Sequence, residues 1–359
     1  MDNRLCSLRT LFPLVAFLFL IPLACTFPFT LPTAQGVTNP ASAAQGSTRK
    51  NPLPLGTLIS IPGWDIEVRE FVRGEAALNF INTADRQAET LPQGQEYALA
   101  KIFLRSTSLD DGPHSLGISE LFITGSHNVK YGDTMDSWPQ PEFLFEDMYT
   151  AEAVEGWIDA VIPTDEQDLM VVLNLFDDDN RYTRFLALEN GASISLPAES
   201  ANLKPNELGV DSSNPAAPGQ QVIMPGWEIT VLDSIRGQEA ETILGKDNSN
   251  YSPPEAGMEH LLLKVRLHYI SPNDYPTWVG RELFYAVDES GYKIGGEWIY
   301  TPTQSDLVWL FETILPGAEL EGWVPVTIPA GVEPVVITFD PEDYSSERAG
   351  EYIRYLAIE

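Results

Sequence analysis

Four histidines, a knot of aspartates, two cysteines and eight tryptophans are the residues of this 359-residue chain whose types suit chemistry. The histidines are His114, His127, His260 and His268. The even spacing of His260 and His268 would put both on one face of a strand. There is no Gly-x-Ser-x-Gly elbow, no His-Glu-x-x-His and no glycine-rich phosphate loop. These histidines therefore read as strand or surface residues, and no catalytic residue is assigned. The run Phe176-Asp177-Asp178-Asp179-Asn180 packs three carboxylates side by side. Calcium takes 6–8 oxygens, often from Asp and Asn in loops. Asp177, Asp178 and Asp179 are thus the candidate metal ligands, with Asp340, Glu342 and Asp343 as the corresponding set further on. The spacing and the glycine of an EF-hand are missing. A solvated loop at a strand end is the competing reading, and no cofactor is expected unless calcium binds there. Trp64, Trp157, Trp227 and Trp323 recur in matching contexts and read as core. Trp138, Trp278, Trp298 and Trp309 do not recur, so they suit either packing or stacking on a sugar ring or a partner protein.

Charge narrows the partners. Lys+Arg is 21 and Asp+Glu is 52, a formal net charge of −31. Nucleic-acid affinity comes mainly from cations that neutralise phosphates, so nucleic acid is excluded. Docking on anionic lipid needs basic clusters and is excluded as well. Both cysteines, Cys6 and Cys25, lie in the first 25 residues. The remainder can hold neither a disulfide nor a thiolate metal site.

Arg4 and Arg9 precede an apolar run from Leu11 to Ala24. That run is shorter than the roughly 20 residues needed to span a bilayer. A charged start with a short apolar run is expected to act as a secretory signal over 1–24. The run ends Pro22-Leu23-Ala24-Cys25, which resembles a bacterial lipoprotein signal, although Pro22 stands where that family usually has Leu. The resemblance implies lipidation of Cys25, a membrane contact through the N-terminal lipid, and a chain exported to the outer face of the membrane or the cell surface. Residues 25–54 are rich in Pro, Thr, Ala, Ser, Gln and Gly without an apolar period. They are expected to form a disordered tether.

The rest is one unit written twice. Ile61-Pro-Gly-Trp-Asp-Ile-Glu-Val68 recurs as Met224-Pro-Gly-Trp-Glu-Ile-Thr-Val231 at an offset of 163. Arg73-Gly74 matches Arg236-Gly237, Gly94-x-Glu96 matches Gly257-x-Glu259, and Lys101 matches Lys264 at the same offset. Glu155-Gly156-Trp157 then matches Glu321-Gly322-Trp323 at 166, and Arg184–Glu189 matches Arg354–Glu359 at 170. His260 and His268 correspond to Tyr97 and Arg105, so neither histidine is a property of the repeated unit. The polar stretch 198–219 reads as a linker between units at 55–197 and 220–359.

Each unit is mostly strand. Leu261, Leu263, Val265, Leu267 and Tyr269 alternate with Lys264, Arg266 and His268, a half-buried period of two. Ala98, Ala100, Ile102 and Leu104 keep the same parity against Lys101 and Arg105, so the two units share a register. No long stretch has a helical period. About seven short strands per unit predict an all-β chain of two tandem immunoglobulin-like β-sandwiches, with no Cys–Trp–Cys pin in either.

The order Pro-Gly-Trp-x-Ile-x-Val, Gly-x-Glu before a long alternating strand, and then Leu315-Pro316-Gly317…Gly322-Trp323…Pro329 is similar to the telokin-like immunoglobulin-fold family of unknown function. That family occurs in bacterial secreted proteins and lipoproteins and brings no catalytic residues. The first unit departs from it, with Ala151-Glu-Ala-Val154 where the second has its Pro-Gly step. The expectation is a non-catalytic surface module for a protein or glycan partner. Its alternatives are a small extracytoplasmic enzyme or a calcium-dependent glycan binder.

Overall fold

The computed structural model describes residues 45–83, 90–109, 112–117, 119–132, 147–177, 180–196, 198, 202–288, 291–294, 299–302, 305–333, 335–341 and 352–358. The chain there is all-β, built as two antiparallel sandwiches.

In the first, β1 (Ile59–Ile61), β2 (Trp64–Arg73), β3 (Gln95–Ser106) and β6 (Ala153–Pro163) form one sheet in the order β1-β2-β3-β6. The facing sheet is β5-β4-β7-β8, from β4 (Leu121–Thr124), β5 (Lys130–Tyr131), β7 (Met170–Asp177) and β8 (Asn180–Ala187). The second sandwich repeats this. It sets β9 (Val222–Met224), β10 (Trp227–Arg236), β11 (Met258–Tyr269) and β16 (Glu319–Pro329) against β13 (Phe284–Val287), β14 (Lys293–Ile294), β17 (Val335–Phe339) and β18 (Arg354–Ile358). The division of strands between the two sheets is the immunoglobulin one, with the short fifth strand beside the fourth.

The repeated Pro-Gly-Trp is a turn and not a chemical motif. Ile61 pairs with Trp64 and Met224 with Trp227. Between them proline fixes φ, while Gly63 and Gly226 take φ of 82° and 77°, open to glycine without strain. Each following strand carries the same bulge, between Val68 and Glu70 and between Val231 and Asp233.

Trp64 and Trp227 lie in the two inter-sheet cores. Trp157 and Trp323 are equally buried but sit on the outer faces. There two short helices that the strand pattern did not reveal, α1 (Glu75–Thr83) and α2 (Gln238–Gly245), cover the sheets with Ala77 and Ile81 or with Ala240 and Leu244. This is why Leu99 and Leu262, on the same strand faces as Lys101 and Lys264, are buried. At nine and eight residues these helices are too short to stand alone and are held by that apolar contact.

Order begins earlier than the expected tether and linker ends. Gly46 O accepts from Phe185 N–H at 2.8 Å, and Leu53 runs parallel to Leu186. Gly209 O accepts from Tyr355 N–H at 2.7 Å, and Ala216 runs parallel to Leu356. Each sandwich thus gains a parallel edge segment from residues that composition alone assigned to a tether or a linker.

The same N-terminal edge joins the two sandwiches. Arg49 is fully buried. Its Nε donates to Asp274 Oδ1 at 2.6 Å, its backbone N–H to Asp274 Oδ2 at 2.7 Å, and its Nη2 to Pro316 O at 2.7 Å. Nη1 donates to Asn128 Oδ1. Leu315 is wholly buried and packs with Phe122, Met170 and Phe185 of the first sandwich, while its N–H donates to Asn128 O at 2.7 Å. A small sheet of β12 (Thr277–Val279) and β15 (Glu312–Ile314) adjoins this junction, where Ile314 bridges Val129.

Candidate functional site

The residues singled out in the sequence scatter. Cys25, Asp178 and Asp179 lie outside the described residues, as do Trp138, Trp298, Glu342 and Asp343. Asp177 ends β7 opposite Asn180, and its side chain is likewise outside the description. Asp340 is buried and accepts from Tyr285 Oη at 2.5 Å, so it serves the core of the second sandwich. Among the described residues no three His, Cys, Asp or Glu converge as metal ligands. His260 is buried beside Thr327 and Tyr251. His268 lies 3.2 Å from Glu228. The two histidines share a face of β11, but eight steps of about 3.3 Å keep them roughly 26 Å apart. They form no joint site.

One ionisable cluster was not foreseen. Glu166 is buried beside the turn after β4. Its Oε1 accepts from Ser126 Oγ at 2.7 Å and from His127 N–H at 3.1 Å. Its Oε2 meets His127 Nδ1 at 2.5 Å and also accepts from Tyr131 Oη. Burial raises the carboxyl pKa, but the donors from Tyr131, Ser126 and His127 outweigh it and hold the group below the ordinary carboxylate range. Burial and the Glu166 carboxylate push the Tyr131 phenol well above its ordinary value. Serine, histidine and glutamate meet here in the wrong order for nucleophilic catalysis. The serine donates to the carboxylate and not to the imidazole, so no base is set to take its proton. The arrangement clamps a turn, and that turn carries Asn128 and Val129 to the second sandwich.

The aromatic residues do converge. On the second sandwich Tyr300, Trp309 and Phe311 line a pocket of about 230 Å³ with Arg281, Thr301 and Pro325. Phe311 is 56% and Tyr300 51% exposed. Trp278 on β12 meets Phe311 edge-on, with ring centroids 4.3 Å apart and planes at 88°. Two of the four non-recurring tryptophans, Trp278 and Trp309, therefore belong to this one aromatic patch.

The backbone explains how they arrive there. Residues 308–310 lie along β16, with Leu310 N–H donating to Trp323 O at 2.9 Å and Trp323 N–H to Val308 O at 2.8 Å. A Cβ on Gly322 would stand 2.8 Å from Val308 O and from the Leu310 side chain. Glycine admits this strand, and the strand brings Trp309 and Phe311 to the pocket. The Nε1 of Trp309 is buried with no acceptor among the described residues. Sequence reasoning missed Tyr300, Phe311 and Arg281. The available signal was the aromatic density of Trp298-Ile-Tyr300 and Trp309-Leu-Phe311, the latter aligned with Phe143-Leu-Phe145 of the first unit at the offset of 166.

A wider groove of about 560 Å³ lies beside α1, lined by Glu75, Leu78, Leu91, Glu96 and Tyr97. It is less selective, because its lining alternates acids with scattered apolar groups and gathers no shared chemistry.

No family model matches the chain. No curated protein matches it. Two solved structures show a likeness. A candidate lipoprotein from Bacillus subtilis is 9% identical with a TM-score of 0.28, over 37% of this chain and 38% of its own length. An uncharacterised β-sandwich protein from Clostridium difficile is 13% identical with a TM-score of 0.23, over 39% of this chain and 96% of its own. The match thus spans well under half of the Bacillus subtilis structure. Both likenesses are too faint to carry an argument about this chain.

Proposed function

We propose that this chain is a non-catalytic, extracytoplasmic binding module, secreted through a signal at 1–24, held by a lipid on Cys25 and a tether after it, and contacting its ligand through the aromatic pocket of its second sandwich. In this reading the units at 55–197 and 220–359 are telokin-like immunoglobulin domains. The observation that carries it is the pocket, where Tyr300 and Phe311 are exposed and Trp278 packs edge-on against Phe311. Large exposed aromatic rings cost a soluble surface and mark recognition sites. The buried ionisable groups point away from catalysis, since Glu166 and Arg49 are each satisfied by fixed neighbours.

The test uses single cysteines, because the chain has no cysteine beyond Cys25. Val308→Cys lies beside the pocket and Leu55→Cys on the first unit, and both positions are exposed. A membrane-impermeant maleimide is applied to intact cells and to the purified full chain. The expected result is equal labelling of Leu55→Cys in both settings, with Val308→Cys protected at least tenfold in cells. Equal labelling at 308 in both settings removes the binding reading. Absence of labelling at Leu55→Cys in intact cells removes the location.

A further inference from the structure

Resting on that binding reading, we infer that the pocket takes the ring of a neutral sugar residue, one unit of a glycan, stacked on Phe311 and Tyr300. Size sets the first limit. Pockets for drug-sized ligands run from about 300 to 1,000 Å³, and this one, at about 230 Å³, suits a single ring. Its walls set the second. Trp309, Phe311 and Pro325 offer apolar faces, and Trp278 fixes the Phe311 ring upright, so little ordering is left to be lost on binding.

Charge sets the third limit. A chain at −31 repels an anion, so uronic acids, phosphates and nucleotides are disfavoured. A quaternary ammonium suits an aromatic cage elsewhere, but here it would meet Arg281 in the same lining. A neutral ring escapes both repulsions.

The polar groups choose among neutral rings. Thr301 and Arg281 line the pocket. A threonine hydroxyl donates and accepts, whereas a guanidinium only donates. A polyhydroxy ring brings hydroxyls that accept from Arg281 and exchange hydrogen bonds with Thr301 while laying its C–H face on the aromatics. A proline ring, the other ring that fits an aromatic groove, carries no polar group to meet them. The hydroxylated ring satisfies both halves of the lining.

The experiment titrates the full chain with soluble, uncharged hexose and N-acetylhexosamine oligomers. Tryptophan fluorescence and saturation-transfer NMR serve as readouts, because Trp278 and Trp309 border the site. Matched arms use uronic-acid oligomers, choline and a proline-rich peptide. At least one neutral oligomer is expected to bind saturably, at least tenfold tighter than every other arm. Phe311→Ala and Tyr300→Ala should each weaken it at least tenfold, and Val332→Ala, at an exposed position on another face, should leave it unchanged. No saturable neutral binding up to about 10 mM overturns the inference, as does tighter binding of the peptide, choline or the uronic oligomer. Neutral binding that survives both aromatic replacements also overturns it. If the cysteine at 308 is protected in cells and no sugar binds, the module reading stands and only the ligand class falls.

Discussion

The two sandwiches are one fold used twice, and they differ where a position stops serving its own domain. Before the paired strands β6 and β16, Tyr149 and Leu315 occupy the same place, since Glu152 N–H donates to Tyr149 O and Ala318 N–H to Leu315 O. Tyr149 is 53% exposed and Leu315 is wholly buried against the other sandwich. Glu166 and Val332 are a second such pair, because Arg73 donates to the carbonyl of one and Arg236 to that of the other. Around Glu166 stand Ser126, His127 and Tyr131. Around Val332 the same hollow is apolar, about 170 Å³ lined with Ile294 and Val335. Duplication kept the turn, bulge and core positions and released those at the junction. The places where the copies disagree are therefore the places to look for what the pair does together.

The largest expected break in this comparison is at Arg49. Asp274→Ala leaves a buried guanidinium without its carboxylate and should cost about 3–5 kcal/mol in denaturant unfolding, with the single transition splitting in two. Arg49→Met combined with Asp274→Leu should restore most of the loss, because it leaves no charge buried. If Asp274→Ala leaves the transition unchanged, the junction contributes nothing to stability.

Leu315→Ala follows, at about 2–5 kcal/mol for a buried leucine, whereas Tyr149→Ala should stay within about 0.5 kcal/mol. Equal effects would mean that the two positions are not differently used.

Glu166→Gln should cost about 1–3 kcal/mol at neutral pH, since several donors lose a charged acceptor. The folded carboxyl lies below its ordinary value. Its contribution is therefore full above the unfolded pKa of about 4.3 and is lost as pH falls through the folded one. Acid should thus weaken the wild type more than the Gln variant, and parallel pH profiles of stability would remove the clamp. Val332→Ala, its counterpart, should change neither profile.

The smallest effect on stability is expected at the pocket. Phe311→Ala should stay within about 0.5 kcal/mol, because the ring is mostly exposed. Gly322→Ala, by contrast, should cost about 1–3 kcal/mol and disturb the pocket from behind, since the added methyl meets the Val308 carbonyl as well as the Leu310 side chain. A neutral outcome at 322 would show that residues 308–310 move aside.

Much of this fold was legible in the sequence, because strands repeat every two residues and duplication doubled the signal. The parity of Ala98, Ala100, Ile102 and Leu104 is the observed inward face of β3. The helices were not legible, since each spends its few apolar residues on one short contact. The edge segment around Leu53 was hidden for a similar reason: one buried side chain in a Pro- and Ser-rich stretch has no period. Of the site, the non-recurrence of Trp278 and Trp309 was visible, but their meeting depends on a strand laid across Gly322, a contact no spacing encodes. Arg49 was invisible, because a single arginine in a polar stretch looks the same whether it ends in water or in an ion pair.

The position of Arg49 has a mechanical meaning. A pull entering the chain at residue 45 runs along an edge segment parallel to β8, so the Gly46 and Leu53 hydrogen bonds are loaded together in shear and not unzipped one by one. Arg49 passes part of that load straight to Asp274, three residues before the strand whose Trp278 braces Phe311. Tension applied between residue 45 and the region of Phe311 would then be shared by both sandwiches. In single-molecule pulling from residue 45 against a handle near Phe311, Asp274→Ala should lower the first rupture force.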